Sequence, residues 1–373
     1  MRSSPGLLWG GLWLIVGSVF PLPGFGQISR RMAPVPGDPL ELVTGPVQVA
    51  GTPERREAAL QLLSRARSRF ALRNGDVAYH LKVSFTVDSL GQTNYDGAWE
   101  MEDLFTPAQG LRWTAKAEAG YVTTRLSLPG AVYGEEGTSS AIPLRLHEAR
   151  GLLNDPLPSP AYADRGSIRT STATFRGVTV TCILLSRSQK PANPASGRGW
   201  DESEECIDPQ SELLQMHSEA PGRYIVYDYA NAPQLGDCVL PRTVTVTEAG
   251  RIVSTISVES LTELAVADAK LFVPALSMRI GGQAKAIAPA EKISRLHVLG
   301  PSTSAVTVRA VCVFGVVTAA GQLVEAHSLQ PSDPNSEAAL EDARRIDFSP
   351  SIPAGAPPRQ HFVFVIEKFA SRK

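Results

Sequence analysis

Net charge is what this chain has least of. Its 36 Lys and Arg are matched by 37 Asp and Glu, leaving −1 at neutral pH, so no global field exists to hold nucleic acid or an anionic membrane surface. Long apolar runs are missing as well: after Phe20 no segment is apolar enough to span a bilayer. Local catalytic signatures are absent, with no CxxC, HExxH, GxSxG, SxxK, GxGxxG or phosphate-loop pattern. The six histidines, His80, His147, His217, His297, His327 and His361, are scattered, and none has a partner at metal-ligand spacing. Ser139 and Ser140 sit in a polar turn with no evident base. The acidic pairs Glu135-Glu136 and Glu204-Glu205 are adjacent, so in an extended chain the two side chains of each point to opposite faces and cannot flank a substrate alone. They read as solvated loop charges. No catalytic residue, cofactor or metal is expected, and the chain reads as non-enzymatic.

What is present is enough for two domains: 373 residues, 43% of them hydrophobic. Arg2, the apolar run Leu7 to Phe20, Pro21, Pro23 and the small-x-small Gly24-Phe25-Gly26 have the form of a secretory signal over residues 1–26. The run falls short of the roughly 20 residues a spanning helix needs and contains Gly10, Gly11 and Gly17, so cleavage is favoured over a retained inner-membrane anchor. No cysteine lies near the cleavage site, which argues against a lipid-modified N-terminus. The expectation is a periplasmic or otherwise exported protein.

Export bears on Cys182, Cys206, Cys238 and Cys312, because disulfides persist outside the cytosol. Cys182 with Cys206 is favoured: each lies on a strand-like run flanking the polar insert Ser186 to Gly199, so the two can face each other across a hairpin. The alternative is that all four are small buried apolar residues.

Residues 27–51 are proline-rich without periodicity and read as an extended leader. Thr52 then caps a helix with Pro53 at its first position, and Ala58, Leu62, Ala66 and Phe70 mark its buried stripe. A strand meander follows. Tyr79, Leu81, Val83, Phe85 and Val87 alternate with polar residues; Tyr95, Gly97, Trp99 and Met101 do the same; Leu111, Trp113 and Ala115 continue it. A helical interruption is expected over Ile142 to Leu153. Strands resume at Ser167–Phe175, Val178–Ser186, Glu204–Asp208, Leu213–His217, Arg223–Tyr229, Leu240–Thr247 and Ile252–Leu261. So many strands with few helices imply one large antiparallel sheet, curved or partly closed to manage its edges. The fold class is α+β: a half-barrel-like domain over 52–281, a linker at 282–289, and a small strand-strand-helix-strand domain over 290–373.

In the last domain Val306, Val308, Ala310, Cys312 and Phe314 alternate, Gly321 turns the chain into Leu323 to Leu329, and Asp333-Pro334 is the expected helix start before Ala339, Leu340, Ala343 and Ile346. His361 to Phe369 closes the module. This order, with "GQLVEAHSLQPSDPNSEAALEDARRIDFSP" ahead of a terminal apolar strand, resembles the C-terminal domain of TonB-type energy transducers. It departs from that family in lacking the opening Tyr-Pro motif, since Ile293 to Gly300 reads "ISRLHVLG", and in having Ile346 where an aromatic is usual. The resemblance implies an envelope-protein partner, such as an outer-membrane receptor in energy-coupled transport. Capture would be by strand addition at an edge carrying His361, Val363 and Val365.

The helix leading into the meander, "CIDPQSELLQMHS" from Cys206 to Ser218, and "ADAKLFVPA" from Ala267 to Ala275 resemble the LolA-like half barrels of periplasmic lipoprotein carriers. That likeness implies a concave apolar face holding a lipid or a lipidated protein beneath a helical lid, with Tyr79, Leu81, Val83, Phe85, Trp99, Met101 and Trp113 as the candidates. The alternative is that these seven are plain core residues, since a sheet buries one face in any case.

Overall fold

A computed structural model describes residues 31–32, 42, 47–70, 72, 77–89, 95–129, 132–137, 143–186, 197–264, 268–281, 291–298, 306–318, 320–348 and 361–372. The expected signal at 1–26 and linker at 282–289 lie outside them, as do Ser139 and Ser140.

The chain begins with two short strands, β1 (Arg31–Met32) and β2 (Gln48–Val49), and the helix α1 (Pro53–Arg69). A meander of β3 (Tyr79–Val87), β4 (Gly97–Thr106), β5 (Gly110–Ala117), β6 (Val122–Leu128) and β7 (Val132–Gly137) leads to α2 (Leu144–Asn154) and α3 (Pro160–Arg165). Next come β8 (Ser167–Phe175), β9 (Val178–Ser186), β10 (Ser203–Ile207), β11 (Leu214–Ala220) and β12 (Arg223–Asp228). A small ribbon, β13 (Gln234–Leu235) and β14 (Cys238–Val239), precedes β15 (Thr243–Glu248), β16 (Arg251–Glu263) and β17 (Arg279–Gly281). The remainder is β18 (Glu291–Val298), β19 (Val306–Val317), β20 (Leu323–Ser328), α4 (Ser336–Arg344) and β21 (His361–Arg372).

Among the described residues these strands make a 14-stranded antiparallel sheet in the order β17-β7-β6-β5-β4-β3-β16-β15-β12-β11-β10-β9-β8-β2. The junction β3–β16 joins its two halves, with Phe85 opposite Ile256 and Leu81 opposite Leu261. β2 and β17 are left as edges, so the sheet is open, and its strands alternate in burial where one face meets water: β3 reads buried at Tyr79, Leu81, Val83, Phe85 and Val87. β10 instead is buried throughout, because Ile207 packs in the cluster with the helices while Cys206 packs on the other face with Cys182, Met216 and Tyr224. Cys182 and Cys206 stand opposite each other in the β9–β10 register and form a disulfide. The hairpin geometry expected from sequence is thus present.

Three helices cover one face. α1 is capped by Thr52, whose hydroxyl accepts from the Arg55 amide. Its buried residues are Ala59, Leu62, Leu63 and Ala66; Ala58, expected in the stripe, is exposed, because the contact face is centred one position further along. α2 lies where the helical interruption is expected. α3, β6 and β7 have no counterpart in the sequence reading: α3 is only 6 residues long, and β6 carries Thr123 and Arg125 at buried positions where apolar residues would have signalled a strand.

The second sheet has the order β1-β19-β21-β18, with β20 also paired to β19. β18 and the parallel pairing of β1 with β19 are absent from the sequence reading, so the leader is partly built into this sheet. α4 starts later than Asp333-Pro334 implies, with Asn335 as its N-cap; the Asp333 carboxylate accepts from the Asn335 amide and shapes a turn ahead of the helix. The two sheets share a core in which Leu144, Trp200 and Ala220 pack with Cys312, Phe314, Leu329, Phe364 and Ile366.

Candidate functional site

The structure places the seven candidate ligand residues on three adjacent strands and brings them together. Phe85 faces Trp99 and Val83 faces Met101 across β3–β4, and Trp113 follows on β5 beside Asp103. Phe85 and Trp99 stack at 5.3 Å, Tyr79 stacks on Phe105 at 5.3 Å, and Tyr121 lies 5.5 Å from Trp99. The Trp99 indole donates to the Tyr95 carbonyl at 3.0 Å, which satisfies its one polar atom. The face is closed, not open: the seven are between 0% and 6% exposed. They share one packed cluster with Leu62, Leu63, Ala66, Phe70, Leu146 and Leu153 of the covering segments.

One buried carboxylate interrupts this apolar face. Asp103 follows Trp99 and Met101 at strand spacing, so β4 must point it inward, and at 1% exposure it needs a partner. Arg150 of α2 supplies it through two hydrogen bonds, 2.7 and 3.1 Å, with its guanidinium 4.0 Å from the centre of the Trp113 ring. The pair ties a covering helix to the floor beneath it. The period-2 pattern Trp99-Met101-Asp103 was the signal that could have found it.

A second concentration of charge lies where the two sheets meet. Arg145 of α2 donates to Glu248 Oε1 at 2.9 Å, to Glu325 Oε1 at 2.6 Å and to Glu148 at 3.1 Å. Arg223 of β12 donates to Glu248 at 2.9 Å and also to Glu148 and Glu219. Both guanidiniums lie 5.1 Å from the Phe314 ring and 5.4 Å from that of Phe362. His327 Nε2 is 3.0 Å from Glu248 Oε2. Burial pushes the Glu248 carboxyl up, but Arg145, His327 and Arg223 together hold it well below the usual carboxylate range. For Glu325 burial prevails over Arg145 and its pKa is raised.

Glu204 and Glu205 correct the reading of solvated loop charges. Both are fully buried on β10 and point to opposite faces: Glu204 pairs with Arg198, and Glu205 pairs with His217. Burial alone would lower the His217 pKa, but Glu205 beside it raises it to about 10. Buried carboxylates of this kind persist only when paired, and none of their partners adjoins them in sequence.

Of the edge residues expected from sequence, His361, Val363 and Val365, the last two are corrected. β21 is an inner strand, paired antiparallel with β19 and parallel with β18, so that Val363 lies between Gly315 and Glu291, and Val365 between Val313 and Ile293. At Val363 and Val365 the strand is flanked on both sides and cannot accept a further one, whereas His361 pairs with Val317 of β19 and precedes the β18 pairing. Within the small sheet, among the described residues, β1, β18 and β20 are each paired with one strand only.

No family model matches the chain, and no curated protein matches it in sequence. Similar solved structures include a putative outer membrane lipoprotein-sorting protein domain from Vibrio parahaemolyticus, at 10% identity and a TM-score of 0.36, covering 58% of this chain and 97% of that one. A LolA superfamily protein from Nitrosomonas europaea matches at 9% identity and 0.33, covering 58% and 97%. A DUF1329 family protein from Desulfovibrio piger matches at 8% and 0.35, covering 58% and 96%. At such scores these likenesses carry no argument, and no property of these proteins is transferred to this chain.

Proposed function

We propose that the protein is an exported, non-enzymatic carrier of an apolar ligand, an acyl chain or a lipidated protein, held against the aromatic face of β3–β6 when the covering helices move away. One observation carries the reading: a contiguous face bearing Tyr79, Phe85, Trp99, Tyr121 and Trp113 is roofed by short helices and not by a second sheet. Such a roof can be parted at its less buried helix, α1, with α2 the more firmly held element. α1 presents a largely charged outer surface, and only four of its 17 residues are buried; α2 is fixed to the floor by the Arg150–Asp103 pair. Elements with few buried contacts open at lower free energy than the strands beneath them. Closed in the free state, the site keeps its aromatic surface from water, and ligand enters at the cost of parting the roof. An outer-membrane receptor captured at β21 has no part in this reading.

The test is titration of the full chain with a fluorescent fatty-acid analogue, with unlabelled fatty acid as competitor. Saturable 1:1 binding is expected, with affinity altered by Trp113→Ala, which enlarges the space under α2. Absence of saturable binding up to the solubility limit of the probe would leave the face as an ordinary core.

A further inference from the structure

Where the two sheets meet, the formal charges do not balance. Glu148, Glu219, Glu248 and Glu325 are joined to only two guanidiniums, those of Arg145 and Arg223. His217 does not offset this excess, because Glu205 is its own close partner. Two carboxylate charges are therefore left over at a mostly buried joint, where an uncompensated charge is costly.

The surplus is concentrated at one point. Glu325 and His327 are two apart on β20 and so project from the same side of the strand. Glu248 ends β15 on the opposing sheet. One ligand atom from each of the three lies within 4.8 Å of the other two. Glu325 is 2% exposed, yet its Oε2 has no hydrogen-bond partner; His327 Nδ1 has none either, and its Nε2 meets only Glu248 Oε2, at 3.0 Å. The 3.0 Å approach of His327 Nε2 to Glu248 Oε2 is the spacing of two ligands around one ion. Arg145 holds Glu325 by Oε1, while Glu248 receives Arg145 on both oxygens, the Oε2 contact being the longer at 3.3 Å. Holding Glu325 by one oxygen and leaving the other free is what a supporting shell does for a metal ligand. The His327 side chain is 19% exposed, but both of its ring nitrogens are buried.

We propose that Glu248, Glu325 and His327 form a site for a divalent transition-metal cation of the zinc type, clasping the small sheet to the large one. Two carboxylates and an imidazole are a donor set that suits zinc and leaves a fourth position for water. The cation's two positive charges match the two carboxylates left over. The other grouping of candidate donors, Cys182, Glu204 and Cys206, is closed to a metal because its sulfurs are joined in the disulfide. The proposal is independent of what the large sheet carries.

The experiment uses the full chain stripped with a chelator and dialysed against zinc chloride, with bound metal counted by elemental analysis. About one zinc per chain is expected, with a rise in melting temperature, and calcium at the same concentration should not compete, since it does not favour imidazole. His327→Ala and Glu325→Gln should each weaken zinc binding by at least about 100-fold, more than the roughly 10- to 100-fold that loss of a supporting partner costs, while His297→Ala, at a separate His–carboxylate contact with Glu367, should leave it unchanged. The metal-free melting temperatures of the variants show whether they fold, and Glu325→Gln keeps the side-chain shape should His327→Ala prove unstable. No stoichiometric zinc, equal binding of calcium, or zinc binding that survives both Glu325→Gln and His327→Ala would each overturn the site.

Discussion

Replacing Arg150 by Met tests how the roof of the large sheet is held. The change keeps the aliphatic stem and removes the guanidinium, together with its 4.0 Å contact to the Trp113 ring, so Asp103, 1% exposed, loses its bidentate partner at 2.7 and 3.1 Å. A buried carboxylate left without its cation costs about 3–5 kcal/mol. Urea unfolding at pH 7 followed by tryptophan fluorescence reads the loss, since Trp99 and Trp113 report on this face. The second half of the cycle is the double variant Asp103→Leu with Arg150→Met. It removes both charges together and should recover most of the loss, giving a coupling of at least about 2 kcal/mol between the positions. Arg150→Met alone should also speed entry of a fatty-acid analogue, because the tie between α2 and β4 is gone. A single variant costing less than about 1 kcal/mol, or a double variant no better than the singles, would refute the view that this pair anchors the roof.

Stability should be highest between pH 4.5 and 6.5. The folded pKa of His217 is about 10 against an ordinary 6.5, so its contribution is whole below 6.5 and is lost as pH rises through 10; that of Glu219 is about 2 against 4.5, so its contribution is whole above 4.5 and is lost as pH falls toward 2. Each limb should amount to on the order of 1–3 kcal/mol in chemical denaturation, and His217→Gln should flatten the alkaline one. Gly222→Ala should destabilise by at least about 1 kcal/mol, since φ is +89° and an added Cβ would lie 2.6 Å from the Leu329 carbonyl across the joint; an unchanged melting temperature would contradict the close approach. Replacing Cys182 and Cys206 together by Ala should cost roughly 3 kcal/mol for a loop of this length, measured against the oxidised protein, while Cys238→Ala should cost little.

Elements whose residues carry their own pattern were legible in the sequence. β3, β8 and β9 fall at the expected residues because their alternation or apolar continuity is local, and Thr52-Pro53 marks the start of α1. Cys182 and Cys206 could be paired because a hairpin places them opposite each other. What the sequence hid depends on partners far along the chain. Glu204 and Glu205 look like solvated loop charges until Arg198 and His217 are brought against them, and Arg145 meets Glu325, 180 positions further along the chain. The inner position of β21 was hidden for a related reason: it follows from β18, whose Lys292, Ser294 and Arg295 give no strong strand signal, pairing in parallel along its length. For the aromatic face, sequence identified the residues and their common side. Whether that side is open or roofed depends on how α1, α2 and α3 dock, which no local pattern encodes.

The most direct measurement is photocrosslinking of a diazirine-bearing fatty acid to the full chain, with the modified peptides mapped by mass spectrometry. The carrier account predicts saturable, competable crosslinks on Tyr79 to Val87, Gly97 to Thr106 and Gly110 to Ala117, and on the buried faces of α1 and α2. Crosslinks confined to exposed apolar residues such as Leu271, Val273 and Leu276, or none that unlabelled fatty acid displaces, would contradict it.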